Sequence, residues 1–375
     1  MRPMSDYTGD DSLHLPSLRI EGFRGIDSLT INRFGRVTLL AGRNGTGKTT
    51  VLDAVRIFAD RGRLSALTAV LDRSEEYAGR VDEEKDIRDI PDFGALFHGR
   101  QAKKGTSFTI GLAGDPHTQV VVEVSSTDDM PEEWMSRLGK PAISAQVLRI
   151  AFGHFEEFLP VLDGDLDVGR APWRRRPIRD DDGRPKALRA EVLGPGLLNN
   201  LDLDQRWGEI ALTEQEPVAL RALNLAANHR IDGVAVVSGD TRYRSRRVLV
   251  KLEDGERVPL RSLGDGAVRL FGVAVALAGA AGGLLLIDEA ENGIHRSLQH
   301  EYWRLVLRAA ADNDVQVIAT THGWDCIRGF ASAASENHDV EGVVVRLERE
   351  NGGLRAVEYS EEELQTATGQ GIEIR

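Results

Sequence analysis

Short apolar runs alternate with glycine-rich and charged stretches along the chain, and this pattern predicts strands and helices in alternation. The run 36–40 (RVTLL) is apolar and follows a glycine, which is typical of a buried strand. After it, apolar side chains fall on one broad helical face, at Val51, Leu52, Val55, Ile57 and Phe58. The glycine-rich segment 41–50 is therefore predicted to connect a strand to a helix.

Further elements are predicted towards both ends of the chain. Two antiparallel strands are expected at 107–112 and 119–124, joined by a turn at 114–116. Other short apolar runs predict strands at 18–20, 29–31, 247–252, 284–287, 315–318 and 342–346. A helix is predicted over 217–230, and the chain shows neither an internal repeat nor the sustained heptads of a coiled coil.

One uncharged segment, 271–287, could be mistaken for a membrane span. Its 17 residues are fewer than the roughly 20 strongly apolar residues that a span needs. It is rich in alanine and glycine, and Gly282 and Gly283 divide it. We therefore predict a buried helix to about Ala280, a glycine turn and then a strand.

Composition and charge narrow the class of protein. The 375 residues are 41% hydrophobic and 28% charged, as in folded proteins of one or two domains. The net charge of −12 argues against a protein that binds nucleic acid with its whole surface. A single cysteine, Cys326, excludes a disulfide framework and a cysteine-based zinc site. Residues 1–12 lack the apolar run of a signal peptide, so we expect a cytoplasmic protein.

The segment 42–49 matches the pattern G-x-x-x-x-G-K-[ST] between a strand and a helix, which is the context of a phosphate-binding loop. Glycines let backbone N–H groups face a phosphate, and the helix that begins there adds its positive dipole end. Lys48 is expected to reach the β- and γ-phosphates of ATP, and the Thr49 hydroxyl to ligate Mg²⁺. The other predicted nucleotide contacts in this loop are Asn44, Gly45, Thr46, Gly47 and Thr50.

The apolar strand 284–287 ends in two acids, Asp288 and Glu289. Acids at the carboxyl edge of an open α/β sheet face the ligand crevice. We predict that Asp288 holds Mg²⁺, directly or through water, and that Glu289 polarises the attacking water as a general base. Four apolar residues and two acids are weak evidence alone, and they gain weight from the phosphate loop.

Taken together, these motifs resemble the ABC-type ATPase heads of the SMC, RecF and OLD (overcoming lysogenisation defect) branch of P-loop ATPases. The resemblance rests on LRIEGFRGIDSLTI (18–31), GRNGTGKTT (42–50), IDEAENGIH (287–295), ATTHGWDCI (319–327) and the ending GIEIR. It covers about 15–125 and 245–375. The implied fold class is an α/β P-loop NTPase of the ABC type, with a mixed sheet, an antiparallel β subdomain and an inserted helical lid.

The resemblance also implies a division of the chain and a mode of assembly. We expect an N-terminal lobe with the phosphate loop at 1–130, an insertion at 131–245 and a C-terminal lobe at 246–375. In this family a single head does not form a complete ATP site. The expected unit is therefore a homodimer, or a higher even oligomer, around two ATP molecules.

Single residues acquire roles from the same resemblance. His322 is the switch histidine, which contacts the γ-phosphate or orients the attacking water near Glu289. Asn292 and Gly293 form the D-loop, which lies across the dimer interface. Arg24 lies near the base or the phosphates, with an ordinary surface arginine as the alternative.

The signature loop departs from the family's pattern. Its sequence is SLGDG (262–266), with Gly264 at the position of the usual serine. It precedes a helix expected from Ala267 onward, whose N–H groups can cap a γ-phosphate of the opposite subunit. The candidate contacts are Ser262, Gly264 and Gly266.

The Q-loop, which supplies a further ligand for Mg²⁺ or for water, is poorly marked in the sequence. The candidates are His98 and Gln101 in the segment LFHGRQ (96–101). We take His98 as the metal ligand and keep Gln101 as the alternative.

The resemblance implies an ATPase that controls a separately encoded effector, such as a nuclease or toxin, in anti-phage defence. A RecF- or SMC-like repair ATPase that clamps DNA, and a nucleotide-gated scaffold with little turnover, are the alternatives. Candidate DNA contacts are two basic clusters, one with Trp173, Arg174, Arg175, Arg176, Arg179, Arg184 and Lys186, the other with Arg242, Tyr243, Arg244, Arg246 and Arg247. A solvated loop is the alternative for the first cluster, and a protein-docking or ordinary surface role for the second.

Overall fold

A computed structural model describes residues 13–78, 90–134, 146–161, 183–227, 229–238, 246–350 and 352–369. The strands are β1 (Leu18–Phe23), β2 (Ile26–Ile31), β3 (Val37–Ala41), β4 (Tyr77–Ala78), β5 (Ile90–Pro91), β6 (Ser107–Gly111), β7 (Val120–Ser126), β8 (Gln146–Phe152), β9 (Phe155–Val161), β10 (Ala190–Leu193), β11 (Ile231–Ser238), β12 (Arg246–Leu252), β13 (Arg257–Pro259), β14 (Leu284–Ile287), β15 (Gln316–Thr321), β16 (Gly342–Glu350) and β17 (Gly353–Tyr359). The helices are α1 (Lys48–Ala59), α2 (Leu64–Arg73), α3 (Asn200–Ile210), α4 (Glu216–Ala226), α5 (Asp265–Gly279), α6 (Gln299–Asp312), α7 (Trp324–Glu336) and α8 (Glu361–Gly369).

The phosphate loop extends from a six-stranded sheet with the strand order β10-β14-β15-β3-β16-β17. Neighbouring strands pair in parallel, except that the edge strand β17 is antiparallel to β16. β3, β14 and β15 are buried along their whole length, as expected for a sheet covered on both faces. Because these strands are parallel, the segments that follow β3, β10, β14 and β15 meet at one edge of the sheet.

A second six-stranded sheet is antiparallel throughout, in the order β2-β1-β6-β7-β8-β9. It contains the predicted antiparallel pair as β6 and β7. One core cluster joins Val55 of α1 to Ile110 of the antiparallel sheet and to Leu286 of the parallel sheet. Helix α1 therefore lies between the two sheets.

The other face of the parallel sheet is covered by α5, α6 and α7. Their side chains Leu270, Trp303 and Phe330 share a buried cluster with Leu39 and Leu285 of the sheet. The rings of Trp303 and Phe330 meet edge to face, with centroids 5.1 Å apart. The sheet and these helices form the layered α/β head that the sequence predicted.

Helix α5 is the buried helix predicted within the uncharged segment 271–287, and β14 is the strand that follows it. The two glycines between them form the predicted turn, with φ +69 at Gly282. In the described part of the chain, no helix has both the length and the hydrophobicity that crossing a bilayer requires.

The described residues of the predicted lid, 131–245, are distributed over three parts of the fold. β8 and β9 extend the antiparallel sheet, and β10 becomes an edge strand of the parallel sheet. Helices α3 and α4 pack with the sheet β11-β12-β13 on the outer side of α5, where Trp207 and Phe271 have ring centroids 5.4 Å apart. The strand β10 is not evident from the sequence, because only Leu193 of its four residues is fully buried and the strand has no apolar run.

Parts of two sequence predictions fall outside the described residues. The ending GIEIR lies there, and so do most members of the basic clusters: Trp173, Arg174, Arg175, Arg176, Arg179, Arg242, Tyr243 and Arg244. Of the members that are described, Arg184 is paired with Glu157 and Arg246 with Asp204.

Candidate nucleotide site

Glycine conformation shapes the loop between β3 and α1. Gly42, Gly45 and Gly47 have φ of +151, +75 and +100, a region that side chains disfavour. A Cβ atom on Gly42 would lie 2.7 Å from the carbonyl oxygen of Leu347, so that position has no room for a side chain. Helix α1 begins after Gly47 without a side-chain cap, which leaves its first N–H groups facing the loop. This is the arrangement that binds a phosphate.

Lys48, the first residue of α1, is only 8% exposed. Its Nζ donates to the carbonyl oxygens of Gly42 and Arg43, at 2.7 and 2.9 Å. Burial lowers the pKa of Lys48, and the nearby carboxylates of Glu291, Asp288 and Glu289 oppose that change. The ammonium is thus folded over the loop, where a bound phosphate would compete with the two carbonyls.

Thr49 and Asp288 meet although 239 positions separate them in the sequence. The Thr49 hydroxyl lies 3.2 and 3.1 Å from the two carboxylate oxygens of Asp288. The Thr320 hydroxyl donates to the same carboxylate at 2.6 Å and accepts from the Glu289 N–H at 2.8 Å. Asp288 is therefore held by the ends of β14 and β15, facing the start of α1.

The Thr49 and Asp288 oxygens fit a Mg²⁺ ion, which prefers hard oxygen ligands and keeps several waters or phosphate oxygens. Among the described residues, no three His, Cys, Asp or Glu side chains cluster closely enough to form a metal site by themselves. A magnesium ion held here would therefore complete its shell with phosphate and water.

Glu289 has φ +49, an uncommon backbone conformation for a residue with a side chain. Its carboxylate accepts a hydrogen bond from the Asn292 side-chain amide at 2.6 Å. The Asn292 amide also donates to the carbonyl oxygen of Pro195 at 3.2 Å. The carboxylate that we predicted as the general base is thus oriented by the D-loop.

Arg269 holds the acidic strand end from behind, a role that the sequence did not reveal. This arginine on α5 is 3% exposed. It donates to the carbonyl oxygens of Asp288 and Glu289, at 2.9 and 3.2 Å, and to those of Gly194 and Gly196, at 2.7 and 3.2 Å. One side chain therefore ties α5 to the segments that follow β14 and β10.

His322 follows β15, directly beside the end of β14, as the sequence predicted. Its side chain is 41% exposed, and its Nδ1 lies 3.2 Å from a carboxylate oxygen of Glu291. The structure thus brings Lys48, Thr49, Asp288 and His322 to the same edge of the sheet, whereas their chemical roles remain predictions.

Within the signature loop, Gly264 has φ +92 and directly precedes α5. Among the described residues, nothing lies within 4 Å of a Cβ built on Gly264, so the start of α5 is open there. A Cβ on Gly266 would lie 3.0 Å from the Gly293 carbonyl oxygen, so the D-loop packs against this helix end. The helix begins at Asp265, two residues before the predicted start, because Gly264 supplies the turn. Ser262 lies in the preceding helical turn, Leu260–Leu263.

Arg24 and His98 are connected to the site through other side chains. Arg24 donates to Asp53 and to the Ser74 hydroxyl, each at 3.0 Å. His98 Nδ1 lies 2.9 Å from the Arg24 carbonyl oxygen. The described contacts of His98 are therefore with Arg24 and not with Thr49 or Asp288, and the alternative Gln101 is exposed.

A buried acid, Asp53, with its partly exposed partner Arg73 is a further feature that the sequence did not reveal. Asp53 is 3% exposed on α1 and accepts from Arg73 at 2.6 Å. Arg73 also lies 3.8 Å from Asp288. Burial raises the pKa of Asp53 from 3.8 to about 6, although Arg73 and Arg24 both favour the charged form. An acid on the apolar face of α1 was the one sequence signal for this pair.

The raised pKa of Asp53 predicts a pH-dependent stability. Between pH 3.8 and about 6 the Asp53 carboxyl is mostly protonated in the folded chain and mostly ionised in the unfolded chain. Asp53 therefore favours folding most at low pH, and this contribution is lost as the pH rises through 6. We expect the unfolding free energy of wild type minus that of Asp53→Asn to increase by about 1 kcal/mol from pH 7 to pH 5. Urea unfolding without nucleotide measures this difference, and a constant value contradicts the raised pKa.

Two protein-family models match the chain, and each includes part of this site. The family described as "AAA domain, putative AbiEii toxin, Type IV TA system" matches residues 175–322, and a second, "AAA domain", matches 17–89. The fold is similar to an Smc head solved with the C-winged helix domain of ScpA, with TM-score 0.50 and 13% identity, covering 93% of this chain and 99% of that one. The chain has the fold of the ABC-type P-loop ATPases of the SMC and RecF branch.

Two other solved SMC heads are also similar to this chain. The SMC head from Thermotoga maritima has TM-score 0.45 and 14% identity, covering 93% of this chain and 100% of that one. The Smc head from Pyrococcus furiosus, solved with the C-terminal domain of ScpA, has TM-score 0.46 and 12% identity, covering 96% and 99%. The comparison with curated proteins found no match.

Proposed function

We propose that this head binds ATP and Mg²⁺ between two copies of the chain, hydrolyses ATP, and so controls a separate effector protein. One observation carries the proposal. The Thr49 hydroxyl of the phosphate loop lies 3.1 Å from Asp288, with Glu289 next in the chain. The groups that we propose to bind phosphate, to bind the metal and to accept a proton therefore lie at one edge of the sheet.

The chemistry follows from these groups. The N–H groups of residues 44–50 and the Lys48 ammonium bind the β- and γ-phosphates. Thr49 and Asp288 would hold Mg²⁺, which neutralises phosphate charge when bound. Glu289 accepts the proton of the attacking water, and Asn292 keeps that carboxylate oriented. His322, at the end of the neighbouring strand, orients the water or contacts the γ-phosphate.

A second copy would supply the remaining contacts. The start of α5 is open at Gly264, and its N–H groups and positive dipole end suit an incoming γ-phosphate. The D-loop packs against the same helix end, so both would meet the second copy together. ATP then joins the copies in a symmetric dimer, and hydrolysis separates them.

The effector is the part of the proposal that rests on relatives. The first matching family is described as a putative AbiEii toxin of a type IV toxin–antitoxin system, and one similar head was solved with a domain of ScpA. We extend this to a separately encoded nuclease or toxin in anti-phage defence. Purification with the products of neighbouring genes, with and without ATP, tests it: an ATP-dependent co-eluting nuclease or toxin supports the proposal, and none contradicts it.

Mixing two defective variants tests the shared site. Lys48→Ala removes the phosphate lysine, and Gly264→Glu adds a negative charge where the partner's γ-phosphate would lie. Each variant alone should be inactive, whereas a mixture can form a heterodimer with one intact site. We expect the mixture to recover turnover, because one of the two sites in each heterodimer is intact. Each heterodimer should reach up to about half the turnover of a wild-type dimer.

The control for this mixture is Gly255→Glu, at another open glycine with similar φ, +87. It should keep wild-type turnover because Gly255 lies in the turn between β12 and β13. Thermal unfolding of each variant shows whether it is folded. Folded variants whose mixture stays inactive contradict a site made from two copies.

A further inference from the structure

Glu291 is an acid that the proposed chemistry does not use, although it lies three residues after Asp288. Its side chain reaches the loop after the neighbouring strand. There its Oε1 accepts from the N–H groups of His322 and Gly323, at 2.9 and 3.0 Å. A Cβ on Gly323 would lie 3.2 Å from the same oxygen, so the carboxylate fits closely against this backbone.

These two N–H groups precede the first turn of α7, where a helix leaves donors without partners. Gly323 has no side chain to cap the helix, and its N–H donates both to Glu291 from another loop and to the Thr321 hydroxyl, each at 3.0 Å. The negative charge of Glu291 also suits the positive end of α7. The loop that carries His322 is therefore held by the Glu291 carboxylate together with the Thr321 hydroxyl.

Two polar atoms beside this contact lack partners among the described residues. Glu291 Oε2 and His322 Nδ1 are both buried and make no hydrogen bond. Nδ1 lies 3.2 Å from Glu291 Oε1, without the alignment that a hydrogen bond requires. Because an unpaired buried polar group is costly, a small rotation that lets His322 Nδ1–H donate to Glu291 Oε2 is favoured.

The segment that carries Glu291 also contacts the surface proposed to meet the second copy. Asn292, the next residue, holds the Glu289 carboxylate, and Gly293 packs against the start of α5. A second copy that closes on α5 and the D-loop would therefore push on the segment that holds His322. Glu291 is the hydrogen-bonded link between the two.

We propose that Glu291 is a positioning residue whose unpaired Oε2 accepts a hydrogen bond from the Nδ1–H of His322 when the second copy closes. The ring then presents Nε2 as an acceptor for the attacking water, because a neutral imidazole carries one proton. Glu291 thus couples assembly to turnover. This inference rests on the proposed function and adds a regulatory contact to the same site.

Glu291→Gln tests the contact with the least change of shape. With the amide oxygen in the place of Oε1, both N–H bonds at the start of α7 are kept, whereas the NH₂ group in the place of Oε2 cannot accept a hydrogen bond from Nδ1–H. We expect unchanged ATP affinity, a slightly lower melting temperature because the negative charge at the start of α7 is lost, and a kcat lowered at least about 10-fold. The control is Glu301→Gln, a half-exposed acid on α6 paired with Arg304, which should leave kcat unchanged.

A double-mutant cycle with His322→Ala separates positioning from a general structural effect. If Glu291 acts through His322, Glu291→Gln lowers kcat in the wild type but has no further effect in His322→Ala. An equal loss in both backgrounds overturns the proposal, and so does a wild-type kcat in Glu291→Gln.

The nitrogen NMR signals of histidine-labelled protein provide a readout that is independent of turnover. His322→Gln identifies the signals of His322 by their loss. In the ATP-bound Glu289→Gln protein we expect the proton on Nδ1, and on adding Glu291→Gln we expect it on Nε2. The same tautomer in both proteins overturns the inference. A wild-type chain without turnover contradicts the proposed function instead, and the NMR result still decides the Glu291 contact.

Discussion

Glu289→Gln lowers ATP turnover by about 10²- to 10⁴-fold, the range expected when a general base is lost, and leaves ATP binding intact. Glutamine has the same length and can still accept the 2.6 Å bond from Asn292, so the strand end keeps its shape. It cannot accept a proton from water. ATP therefore stays bound between two copies, and the closed dimer accumulates.

Steady-state phosphate release and equilibrium ATP binding measure the two halves of this expectation. The control is again Glu301→Gln, which changes an acid to an amide outside the site. Turnover near the wild-type rate in Glu289→Gln would remove Glu289 from the role of general base.

Lys48→Ala should have the second large effect, on binding. A hydrogen bond to a charged group contributes about 1.5–3 kcal/mol, so losing the ammonium weakens ATP binding about 10- to 150-fold per lost contact. Turnover is lost with it. Two effects on stability oppose each other in this variant. The carbonyl oxygens of Gly42 and Arg43 lose a hydrogen-bond donor, whereas the cost of burying the ammonium is removed.

Calorimetric titration of ATP measures this loss, and Lys251→Ala is the matched control because Lys251 is an exposed lysine on β12. We expect the control to bind ATP as the wild type does. A folded Lys48→Ala protein with wild-type affinity contradicts the placement of the phosphates over this loop.

The parts of the fold that local patterns determine were predictable. The strand Leu284–Ile287 and the loop before α1 follow from short apolar runs and glycines, and parallel pairing then places Asp288 and His322 at one edge. The strand β10 was missed because its burial depends on pairing with β14, about 90 residues away, and not on its own pattern.

The side-chain network around the site was missed for a similar reason. Arg73, Arg269 and Glu291 look like ordinary surface residues in the sequence, because charge alone does not indicate a distant partner. Arg269 is buried only because four carbonyl oxygens from two loops converge on it. Such contacts are made by the assembled fold, so a single sequence cannot indicate them.

The central claim is that ATP joins two copies of this head. The most direct measurement is the molar mass of Glu289→Gln in solution by light scattering, with and without ATP and Mg²⁺. We predict twice the mass of one chain with ATP, and the mass of one chain when Lys48→Ala is added to the same protein. A single-chain mass for Glu289→Gln saturated with ATP contradicts the account.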